Sequence, residues 1–191
     1  MKRLARSAVG WGPWLGTALG VLALVVSLPR MAHATPNHAH LHYHIGVRAY
    51  AGARHAAVLY QEASGEGLDS ALALEDGRDM ERLATEILDY VDRLEKVMSP
   101  REKETIAGEV AAMKEHGLAA RQLSAELAGW IESASAAPGE GVGPAPLPRE
   151  LCERMAGRAR VLFAEFSFIL ARHKQAERKL SIPVPPDPPA P

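Results

Sequence analysis

Met80, Leu83, Ile87, Val91, Leu94 and Met98 recur at steps of three or four residues, and Ser99 and Pro100 follow at once. A strand exposes one face every second residue, so this spacing fits a helix with one apolar stripe. Three other stretches repeat the pattern. Leu41, Ile45, Ala49, Gly52, Ala56, Leu59 and Ala63 form one stripe. Ile106, Val110, Met113, Gly117, Ala120, Leu127 and Ile131 form another. Leu151, Met155, Ala159, Leu162, Phe166, Leu170, His173 and Leu180 form the last. Strand signals are nearly absent.

Punctuation sets the helix ends. Thr35 can cap the first helix, with Pro36 at its first position, and "SGEG" at 64–67 stops it. The second spans about 68–98 and is strongest from Asp79 onward, because Gly77 can break off a short leading turn. Ser99 caps the third, which Pro100 opens, and Glu102 and Glu104 suit its N-terminal dipole. That helix spans about 100–136. "PGEGVGPAPLP" at 138–148 is a linker by composition, and the fourth helix spans about 149–180. Four amphipathic helices with mostly short connections predict an all-α fold. The expected architecture is an up-down-up-down four-helix bundle over 35–180.

The two ends differ from this middle. Lys2, Arg3 and Arg6 precede a charge-free apolar run from Ala8 to Leu28, and Ala32 and Ala34 stand at the two small-residue positions of a cleavage site. Residues 1–34 therefore predict a secretory signal peptide cut after Ala34, and a periplasmic protein. An uncleaved anchor is the alternative, since the run approaches spanning length. At the other end, "SIPVPPDPPAP" at 181–191 predicts a Pro-rich tail, extended or disordered rather than helical.

Charge and motifs exclude more than they include. The net charge is −1, and Lys2, Arg3, Arg6 and Arg30 all fall in the leader, so the rest is more acidic. Nucleic acid is an unsuitable partner, and so is an anionic membrane after signal cleavage. Cys152 is the single cysteine, so no internal disulfide exists. Its place beside Leu151 predicts a small buried side chain. There is no C-x-x-C-H, nucleophile elbow, Gly-rich phosphate loop or H-E-x-x-H. The residues three before His55, His116 and His173 are Gly52, Met113 and Leu170, so the E-x-x-H pairs of di-iron bundles are missing as well. No acid–base pair or nucleophile can be named, and an enzyme is not expected.

The chemistry lies in "HAHLHYH", residues 38–44. If this segment is helical, His38 and His42 make one i, i+4 pair. His40 and His44 make another on a different face, and the two pairs cannot converge on one ion. If it is extended, all four imidazoles point the same way. Either conformation makes a ligand set, because His pairs at i, i+4 also hold zinc in enzymes. In an antiparallel bundle the start of the first helix and the end of the fourth share one end. His44 and His173 each fall roughly 10 Å in from it, with Met98 at the same end, while His55 and His116 fall roughly 25 Å down. His38, His40, His42 and His44 are thus the expected metal ligands, with His173 as a fifth. Neutral imidazole suits zinc, copper and nickel, and the sequence does not choose among them. His55 and His116 are expected to be ordinary polar residues.

The layout resembles two families of exported helical bundles. One is the b-type cytochrome bundle, whose haem lies at one end between a ligand near the start of helix 1 and a His near the end of helix 4. His173 and one of His38, His42 or His44 hold comparable places, although that family uses Met on helix 1 and no Met lies between 35 and 79 here. The other is the group of periplasmic metal-binding and metal-sensing bundles with His-rich ends. This chain lacks the Leu-Thr-x-x-Gln repeat common among many of them. The expectation is an exported bundle that buffers, stores or senses a transition metal. A haem b electron carrier is one alternative. A non-catalytic structural or adaptor bundle, reaching a protein partner through its tail, is the other.

Overall fold

The computed structural model describes residues 36–65, 68–135 and 147–182. The expected signal peptide, the Thr35 cap and most of the Pro-rich tail lie outside the described residues. Within them the chain forms four helices: α1 (Pro36–Ser64), α2 (Ser70–Val97), α3 (Pro100–Ser135) and α4 (Arg149–Lys179). No helix of the described residues is long and apolar enough to cross a membrane.

Each helix packs on its neighbours in sequence, α4 closes back onto α1, and the backbones of the diagonal pairs stay apart. Cross-helix ion pairs give the direction. Arg48 meets Glu86 while the later His55 meets the earlier Asp76, so α1 and α2 run antiparallel. Lys114 meets Asp92 and Arg78 meets Glu132, which does the same for α2 and α3. Lys179 meets Glu109 and Arg158 meets Glu126, so α4 opposes α3. The result is an up-down-up-down four-helix bundle.

The apolar stripes form one core. The stripes of α1, α2 and α3 are buried at every position read from the sequence. On α4 the buried line passes through Ile169 rather than Leu170, then through His173, Ala176 and Glu177. A step of three after Phe166 therefore turns His173 and Glu177 inward together. Burying side chains such as Phe166, Ile87 and Leu94 contributes about 1.5–3 kcal/mol each. Gly52 lets the Phe166 ring lie against the α1 backbone, since a Cβ there would overlap ring atoms.

Local chemistry explains the turns. Asp69 accepts hydrogen bonds from the amides of Ala71 and Leu72 and starts α2. Gly77 does not interrupt that helix, because it is buried against Ala128 of α3. Ser99 and Glu102 form a reciprocal cap. The Ser99 amide and hydroxyl donate to Glu102 Oε2 at 2.8 and 2.7 Å, and the Glu102 amide donates to Ser99 Oγ at 3.4 Å. One irregularity, non-helical dihedrals at Ile106, was not legible in the sequence. Lys179 donates to the Thr105 carbonyl beside it at 3.5 Å. Cys152 is half-buried rather than buried, with Sγ 3.8 Å from the Leu147 carbonyl at the rim of the bundle.

Candidate metal centre

Pro36 opens α1 and the helix runs unbroken through the histidines, so the helical alternative holds. The four imidazoles divide into two pairs on different faces. His38 and His42 face inward and are 3% and 0% exposed. His40 is exposed and His44 half-exposed. His173 of α4, 3% exposed, meets His42 of the inward pair.

His42, His173 and Glu177 form a buried group whose ligand atoms all lie within 4.8 Å of one another. His42 Nδ1 and His173 Nε2 are 3.3 Å apart. His173 Nε2 and Glu177 Oε1 are 3.6 Å apart. Glu177 follows His173 by one helical turn, so both side chains leave the same face of α4. Gly46 makes room for this arrangement. A Cβ there would stand 3.0 Å from His173 Cε1 and 3.2 Å from Nδ1.

Burial sets the protonation states. Desolvation, helped by the neighbouring rings of His173 and His38, lowers His42 to about 3. Desolvation lowers His173 to about 4 against the opposing hydrogen bond to His42. Desolvation also raises the Glu177 carboxyl to about 6. Both imidazoles are therefore neutral at pH 7, the form that binds metals. The ring nitrogens His38 Nε2, His42 Nε2 and His173 Nδ1 are buried without a hydrogen-bond partner. Each such group costs about 1–3 kcal/mol.

His38 stands beside the group rather than in it. Its ring lies edge-on to His42, with centroids 5.5 Å apart, and its Nδ1 is 3.9 Å from Glu102 Oε1.

The outer pair has a different chemistry. His40 Nε2 and His44 Nε2 are 2.8 Å apart. Arg48 donates to His44 Nδ1 at 2.8 Å and also binds Glu86. Because arginine has only donors, His44 Nδ1 must be the acceptor, and Nε2–H then donates to His40. Metal-ligating imidazoles instead donate their second nitrogen to an acceptor. Desolvation, then His40 and Arg48, lowers the His44 pKa, and the ring stacks on Tyr90 at 4.8 Å. Of the five expected ligands, His38, His42 and His173 gather inside, while His40 and His44 pair at the α1–α2 seam.

His55 and His116 do not meet each other. His55 Nδ1 donates to Asp76 and His116 Nδ1 to Glu165, both at 2.6 Å. They tie neighbouring helices together. Glu177 was not anticipated from the sequence, although a carboxylate one turn after a stripe histidine was a visible signal. No protein-family model, curated protein or solved structure matches this chain.

Proposed function

We propose that the protein binds one divalent transition-metal ion at the end of the bundle, held by His42, His173 and Glu177. One observation carries this reading: three ligand-type side chains from two helices converge in the core at ligand spacing. Two donors at 2.0–2.1 Å from a tetrahedral ion stand about 3.3–3.4 Å apart. The 3.3 Å between His42 Nδ1 and His173 Nε2 matches that edge. Two neutral imidazoles and a carboxylate suit zinc, copper or nickel.

The same distance favours a bare ion over haem b. Axial imidazoles on haem iron flank the macrocycle, and rings 3.3 Å apart at their nitrogens leave no room for a porphyrin between them. With the leader read from residues 1–34, the proposal is a periplasmic protein that buffers, stores or senses metal without catalysis.

Native mass spectrometry of the purified protein with added zinc, copper or nickel tests the reading. One ion per chain, removed by chelator, supports it. A chain that stays ion-free with all three refutes it.

A further inference from the structure

The proposed triad supplies three donors, and a four-coordinate ion needs a fourth. His38 is an unassigned buried imidazole beside it, its ring centroid 5.5 Å from that of His42. It is 97% withdrawn from solvent, since only 3% is exposed, and its Nε2 has no partner. A buried polar atom of this kind requires explanation. It precedes His42 by four residues, the spacing by which helical imidazoles hold one zinc ion.

Its other nitrogen faces the right group. Glu102 Oε1 stands 3.9 Å from His38 Nδ1. Glu102 is itself fixed, because Oε2 accepts both the amide and the hydroxyl of Ser99. A ligating histidine is commonly oriented by a carboxylate on its second nitrogen, which fixes the tautomer and leaves the first nitrogen free for the metal. The cap of α3 thus places a carboxylate where His38 can use it.

We infer that His38 is the fourth ligand, oriented by Glu102, and that the site is closed by four protein donors from α1 and α4. This rests on the three-ligand reading above. A closed site has no position for water or substrate, which fits holding an ion rather than using it as a catalyst. The sequence motif Ser99-Pro100-Arg101-Glu102 then has two roles, starting α3 and orienting a metal ligand on α1.

Cobalt(II) is the probe, because its absorption bands report coordination. The intact protein should bind cobalt with tetrahedral bands unchanged between about pH 7 and pH 9, since no bound water is present to ionise. His38→Ala should bind more weakly and show bands that shift over that range, as water fills the open position. Glu102→Gln keeps the α3 cap, because Gln also serves in a capping box. It should keep the tetrahedral bands and lose about 10–100-fold in affinity. If the intact protein takes up no cobalt, the three-ligand reading falls and this inference with it. If it binds cobalt but His38→Ala leaves affinity and bands unchanged, only the fourth ligand is overturned. Unchanged affinity in Glu102→Gln would overturn the orienting role.

Discussion

His42 Nδ1 and His173 Nε2 lie 3.3 Å apart across 131 residues of sequence. The contact joins the second turn of the first helix to the last turns of the fourth. Among the described residues, the other contacts between histidines join side chains only four residues apart. An ion at this point would clasp the two ends of the folded domain.

Metal should therefore stabilise the protein thermally. An ion that binds only the folded state adds about 2.7 kcal/mol at a free concentration one hundred times Kd. Melting followed by circular dichroism should show Tm rising with zinc and returning with chelator. His173→Ala should melt at the same temperature with and without zinc. A zinc-induced rise that survives in His173→Ala would contradict the clasp.

Glycines at three kinds of position should respond differently to alanine. Gly108, Gly129 and Gly157 have nothing within 4 Å of an added Cβ, so alanine there should stabilise by about 1 kcal/mol. At Gly52 the Cβ meets the Phe166 ring, a buried aromatic, and overpacking should cost about 1–3 kcal/mol. Gly46→Ala is the informative case. The Cβ presses on His173, so metal affinity should fall more than stability does. Urea unfolding and metal titration of the same variants separate the two effects.

The His55–Asp76 pair should make stability depend on pH. The hydrogen bond from His55 to Asp76 raises the His55 pKa above its ordinary value, against a smaller opposing effect of burial. The folded state then holds the proton more tightly than the unfolded chain. This contribution is fully present below about pH 6.5 and is lost as pH rises through the raised folded value. Asp76→Asn should remove it. In urea unfolding at about pH 6 and pH 8, the intact protein should lose more stability over the interval than Asp76→Asn. Equal losses would show that the pair does not couple to folding.

The fold was legible because apolar steps of three and four persist over long stretches, and Ser99-Pro100 and the Gly-rich segments mark their ends. The site was legible only in part. The i, i+4 spacing implied that a helical tract divides into two pairs, but not which pair faces inward. That is decided by the stripe beginning at Leu41 and Ile45, whose burial turns His38 and His42 into the bundle. On α4, reading Leu170 into the stripe missed the step through Ile169 that buries Glu177 beside His173. Looking for carboxylates before each histidine missed the one after it. Contacts between helices, such as Arg48 with Glu86 or His38 beside Glu102, depend on how the helices are rotated. No spacing within one helix encodes that rotation.

Calorimetric titration of zinc, copper and nickel into three forms of the protein tests the central claim most directly. The forms are the intact chain, His42→Ala, and the double variant His40→Ala/His44→Ala. The buried-centre account predicts that His42→Ala loses more than about 100-fold in affinity, beyond the 10–100-fold typical of losing an outer partner. It predicts that the double variant binds as the intact chain does. Lost binding in the double variant, with binding intact in His42→Ala, would place the metal at the surface pair and contradict the account.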